Sequence, residues 1–111
     1  MRDPKERLQD IIEAIDQIMR YATGGREKFE RDELIQNWFL RHLQIIGEAA
    51  FRVPDEVKAQ TSNIPWAKII GMRHILVHDY FQIDTEVVWE VVEKDLPVLR
   101  RDIEALLKKM E

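Results

Sequence analysis

Residues 3–22, DPKERLQDIIEAIDQIMRYA, carry the pattern that decides the fold. Asp3 supplies an N-cap acceptor, Pro4 suits the first helical position and Glu6 stands at N3, the arrangement of a capping box. Behind that start, Leu8, Ile11, Ile12, Ile15, Ile18, Met19 and Ala22 recur at helical spacing, while Arg7, Asp10, Glu13, Asp16 and Arg20 fall mainly elsewhere on the surface. Thr23-Gly24-Gly25 ends the helix.

Outward from that helix, a second apolar stripe runs through Leu34, Ile35, Trp38, Phe39, His42, Ile45, Ile46, Ala49 and Ala50, predicting a helix from Glu27 or Arg31 to Phe51. His42 lies inside the stripe. Nothing adjacent to it supplies a metal or catalytic partner, so it reads as a histidine hydrogen-bonded in or beside the core. Gly47 in mid-helix costs about 1 kcal/mol relative to alanine, which a close approach of another helix would explain. Glu48 reads as an exposed helix residue, with a supporting carboxylate behind a site as the alternative.

Val53-Pro54 breaks the second helix, residues 55–59 suit one short helical piece and residues 61–65 form a loop. A further helix is predicted from Pro65-Trp66 onward, with Ile69, Ile70, Met72, Ile75, Leu76 and Val77 inward and the stretch 71–81, GMRHILVHDYF, as its C-terminal half. Asp84-Thr85-Glu86 can cap a last helix that holds Val88, Val92, Leu96, Leu99, Ile103, Leu106 and Met110. From Val92 these advance alternately by four and three residues and stay in phase across Pro97, which predicts one helix kinked at the proline. The same spacing suits a partner helix in the bundle or in a second copy of the chain. No strand-like alternation and no internal repeat interrupts the helical pattern.

At 111 residues, 45% hydrophobic and 34% charged, the chain has the size and composition of one globular domain, residues 1–111. Its apolar runs fall far short of the roughly 20 residues that span a bilayer, and the charged N-terminus does not resemble a signal peptide, so a cytoplasmic location is expected. Cysteine is absent, which excludes disulfides, thiolate metal sites and cysteine nucleophiles. The formal net charge of −4 argues against a general nucleic-acid coat, so any RNA or DNA contact must use a local basic patch.

Residues 71–81 concentrate the chemistry: Arg73, His74, His78, Asp79 and Tyr80. On an ideal helix Arg73 and Tyr80 differ by only about 20° in direction, whereas Arg73 and His78 lie roughly 140° apart. For Arg73 and His78 to meet one phosphate, the helix must bend or a second protomer must contribute. Arginine offers a permanently charged fork suited to phosphate, and histidine exchanges protons near neutrality. With a ribose 2'-hydroxyl as internal nucleophile, that pair suffices for RNA cleavage without a metal. Three other readings stand beside this one: a surface histidine pair, a half-buried Tyr80, and a metal site. His74 and His78 are spaced like half of a zinc motif, but the glutamate of the metalloprotease signature is missing and a third ligand such as Asp79 or Glu48 would be needed.

Arg73, four residues, then His78-Asp79-Tyr80 resembles the Arg-x4-His-x-Tyr signature of HepT-type HEPN toxins. The blocks around it, residues 45–50, 64–66, 71–73, 80–81, 88–92 and 95–97, resemble that family in the same order, so that the likeness extends from about Arg7 to Lys108. The resemblance implies an all-α, HEPN-type antiparallel bundle of four to five helices that forms a homodimer, alone or inside a larger hetero-oligomer. It implies a metal-independent endoribonuclease with no cofactor, acting on tRNA or mRNA across a composite cleft between protomers. Arg73 and His78 would be the catalytic pair, His74 and Asp79 auxiliary groups, and Tyr80 the residue that an MntA-type minimal nucleotidyltransferase antitoxin modifies with AMP. A bulky adenylyl group with its anionic phosphate on Tyr80 would then exclude RNA sterically and by charge. A second reading, from a different class, is a non-catalytic subunit that binds a nucleotide or substrate for the transferase.

Overall fold

A computed structural model of the chain describes residues 3–74, 77–78 and 82–110, with the backbone alone at residues 77, 78, 82 and 83. The first helix, α1 (Pro4–Ala22), starts as its cap predicts, the Asp3 carboxylate accepting the Lys5 N–H at 2.8 Å. It buries Leu8, Ile11, Ala14, Ile15 and Ile18, while Ile12, Met19 and Ala22 pack on the margin of the core. Each fully buried Leu or Ile here contributes roughly 1.5–3 kcal/mol.

The helix expected from Glu27 or Arg31 to Phe51 is divided at Asp32 into α2 (Arg26–Arg31) and α3 (Glu33–Phe51). Asp32 is extended, and its Oδ1 accepts the Leu34 and Ile35 N–H groups at 2.9 and 3.3 Å. The short carboxylate competes for backbone donors that a continuous helix would use internally. Gln36 Nε2 donates to the Phe29 and Glu30 carbonyls, which closes the end of α2. The break turns Phe29 into the core, stacked on Phe39 at 5.0 Å. It also shifts the stripe: Ile35, Phe39, Leu43 and Ile46 are buried, whereas Leu34, expected on the apolar face, is 82% exposed.

His42 behaves as a core histidine. It is buried, with Nδ1 2.7 Å from the Trp38 carbonyl, and an oxygen that can only accept requires that nitrogen to carry the proton.

After α3 the short α4 (Asp55–Ala59) forms where residues 55–59 predict it. Buried Trp66 donates to Thr61 Oγ1 at 2.9 Å, and that hydroxyl donates to the Val57 carbonyl, tying the loop to the start of α5 (Trp66–Gly71). Here the structure corrects the expectation of a helix running to Phe81. The helix ends at Gly71; residues 72–74 form a turn, and the backbone re-emerges as a two-residue ladder of β1 (Val77–His78) with β2 (Gln82–Ile83), antiparallel, pairing Val77 with Ile83 and His78 with Gln82. The turn is tightened by three-residue bonds, Met72 to Ile69, Arg73 to Ile70 and His74 to Gly71.

One helical path then runs from Asp84, whose carboxylate caps Val87 N–H, through α6 (Thr85–Glu90), a π-turn at Val91–Asp95 and α7 (Leu96–Met110). Continuity across Pro97 is as expected, and the irregularity sits just before it. Leu96 N–H reaches back five residues to the Val91 carbonyl. Proline has no N–H to give and its ring crowds the carbonyl four residues earlier, that of Glu93; the widened turn relieves that contact.

The class is all-α. Helix α1 packs most extensively on α3 and then on α7, with α5 laid on α3. Among the described residues no helix is long and apolar enough to cross a membrane.

Candidate functional site

The site begins with a missing side chain. At Gly47 of α3, a Cβ would lie 2.6 Å from Arg73 Cγ, 2.9 Å from the Arg73 backbone nitrogen and 3.2 Å from the Ile69 carbonyl. The close helix approach inferred for this glycine is therefore the approach of α5, and what it brings in is Arg73. No other residue type fits there without moving the arginine.

Arg73 is the first of the candidate side chains past the end of α5. Its stem lies over Gly47, and its guanidinium stands 4.3 Å above the Phe51 ring, a cation–π contact. Nε donates to the Ile70 carbonyl at 3.3 Å and Nη1 to Glu48 Oε2 at 3.3 Å. Glu48 is the residue that sequence reading undervalued: it is the anion that receives Arg73, and its other oxygen accepts Arg52 Nε at 2.9 Å. One carboxylate thus serves two guanidiniums. Arg52 first and Arg73 second hold the Glu48 carboxyl below its ordinary pKa. A signal was present in the chain, since Glu48 and Arg52 are an i, i+4 pair directly after the helical glycine.

An open depression beside this cluster is lined by Arg41, Gln44, Ile45, Glu48, Arg73 and His74. His74 is exposed at its rim. Arg41 and Gln44 are additions that the motif did not announce; they face the site only because positions 41, 44, 45 and 48 share one side of α3. Among the described residues no group of three or more His, Asp or Glu is placed to hold a metal ion, and Glu48, one of the two third ligands considered for His74 and His78, is occupied by arginines. The side chain of His78 and the whole of Asp79 and Tyr80 lie outside the described residues. His78 is on β1 by its backbone. The helical angle drawn between Arg73 and His78 therefore does not apply, because α5 ends at Gly71 and His78 stands on a strand by its backbone.

A helical bundle that presents an arginine and a histidine at an open, partly cationic depression has the equipment of a phosphate-handling protein. The family model described as "Ribonuclease HepT-like" matches residues 11–106. The chain is 38% identical over 108 residues to "Probable ribonuclease HepT" of Thermococcus cleftensis, covering 96% of this chain and 98% of that protein. It is 33% identical over 110 residues to a "Putative RNase" of Caldanaerobacter subterraneus subsp. tengcongensis, covering 98% of each. No solved structure matches the chain. The chain belongs to the HepT-like ribonuclease family.

Proposed function

We propose that this protein is a metal-independent endoribonuclease and the toxin of a toxin–antitoxin pair, acting on tRNA or mRNA as a homodimer. The observation that carries the reading is the state of Arg73 in a chain of this family: a guanidinium with its side chain 24% exposed, beside His74, whose one carboxylate contact among the described residues, at 3.3 Å, is to a glutamate that it shares with Arg52. A phosphate can offer that cation a better, bidentate partner than Glu48 does.

In the proposed reaction His78 removes the proton of a ribose 2'-hydroxyl and the oxygen attacks the adjacent phosphorus. The bond from phosphorus to the 5'-oxygen breaks, that oxygen takes up a proton, and the products are a 2',3'-cyclic phosphate and a 5'-hydroxyl. Arg73 stabilises the charge that develops on the phosphoryl oxygens, with His74 and Asp79 as auxiliary polar groups. Tyr80 is the control point: its phenolic oxygen attacks the α-phosphate of ATP on a minimal nucleotidyltransferase antitoxin, releases pyrophosphate and leaves AMP on the toxin.

Replacement His78→Ala should lower RNA cleavage by about 10² to 10⁴, the usual loss for a positioned acid–base group. Equal cleavage by the variant would remove His78 from the mechanism. Incubation with the transferase and ATP should add the mass of AMP to the parent chain and not to Tyr80→Phe. Cleavage should be indifferent to a chelator; RNA binding without products would favour the non-catalytic subunit instead.

A further inference from the structure

An acidic chain that handles RNA needs a local basic patch, and the structure supplies one on α3. Four arginines elsewhere are committed to acids: Arg26 to Glu30, Arg31 to Glu27, Arg100 to Asp16 and Glu104, and Arg101 to Asp102. Around the depression the balance among the described residues reverses, with Arg41, Arg52 and Arg73 set against the carboxylate of Glu48. Arg41 is exposed and has no acidic partner among the described residues. It stands seven positions before Glu48 on the same face, so about 10 Å of helix separates it from the carboxylate that holds Arg73. A strand lying along that face can offer one phosphate to Arg73 and another nearby to the long side chain of Arg41.

The other side of the patch is closed by charge. Across Ile45 a second depression is lined by Asp10, Glu13 and Gln17 of α1. A polyanion leaving Arg73 is repelled from that side and drawn along α3 toward Gln44 and Arg41.

We infer that the Arg41–Gln44 end of this depression is a subsite for a backbone phosphate of single-stranded RNA next to the bond that is cut, with Arg41 as the phosphate ligand and Gln44 hydrogen-bonding to the phosphate or ribose. The inference rests on the proposed ribonuclease activity for its substrate class, but binding and cleavage test it separately. Arg41 touches no reacting atom; it holds and orients the strand. The effect belongs in substrate affinity and its salt dependence, and a side chain that merely supported the fold would move neither selectively.

The experiment uses the full chain, a labelled single-stranded RNA for cleavage, and the same oligonucleotide with 2'-O-methyl riboses, which cannot react, for binding across a salt series. Arg41→Ala should weaken binding about tenfold and lower the log–log salt slope by about 0.7, one phosphate contact for a single strand. In cleavage it should raise KM by a similar factor with kcat within about twofold; Arg41→Lys should restore much of the loss, and Lys108→Ala on the exposed end of α7 should change nothing. Unchanged affinity and slope in Arg41→Ala overturn the subsite while leaving the ribonuclease reading intact. Absence of binding by the parent chain overturns it as well. Weakened binding by the variant, with no cleavage by the parent, keeps the subsite and removes the nuclease.

Discussion

Among the described residues two arginines tie one helix to another part of the fold, and they are satisfied to opposite degrees. Arg100 of α7 is clamped by both oxygens of Asp16 on α1, at 2.7 and 3.1 Å, and by Glu104 at 2.9 Å: two acids for one cation. Arg73 has one long contact to a carboxylate that Arg52 holds more closely: two cations for one acid. The first arrangement is a latch, complete within the molecule, and its acids raise the Arg100 pKa, chiefly through the hydrogen bonds that Arg100 donates to Asp16. The second leaves positive charge over, at the mouth of a depression. An arginine that completes its fork internally stabilises the fold; one that does not is available to an anion from outside.

The sharpest way to break this comparison is to delete each guanidinium in turn. Arg73→Ala should cost about 10² to 10³ in RNA cleavage, as for loss of a charge-stabilising donor. Arg100→Ala should leave cleavage unchanged, and similar losses in the two variants would end the distinction.

Next in size is Gly47→Ala. The added methyl overlaps Arg73, so overpacking of about 1–3 kcal/mol opposes a helix-propensity gain of about 1 kcal/mol. Cleavage should fall further than the urea midpoint suggests, because the arginine itself is displaced; normal cleavage would show that its position is not critical. Smaller still, Arg100→Ala should destabilise by no more than about 1 kcal/mol, since its pairs are solvent-screened, and salt should shrink the difference.

The smallest expected effect is the pH dependence of Glu48. Its carboxyl pKa is lowered in the folded chain, so its contribution is present above the ordinary carboxylate value of about 4.3 and is lost as pH falls through the lowered folded value. The gap in urea midpoint between the parent chain and Glu48→Gln should be constant near neutrality and close in acid. A gap that persists at low pH would mean that the glutamate acts by shape.

Local sequence determined most of the helices, because caps and 3.6-residue periodicity are short-range properties. The Asp3 cap, the Leu8 to Ile18 stripe, the Asp84 cap and the in-phase run across Pro97 all appear as read. So did the inference that Gly47 marks a close approach, since a helical glycine invites a packing reason. Where neighbours in space compete with neighbours in sequence, the reading failed. Asp32 cut a helix by capping it from within, and α5 ended at Gly71 although apolar residues continue to Val77. The Arg-x4-His-x-Tyr motif named Arg73 from sequence alone. Only the packing of α5 against α3 decided that its guanidinium would lie over Phe51 and share Glu48 with Arg52, since that contact spans 25 positions and depends on how closely two helices meet.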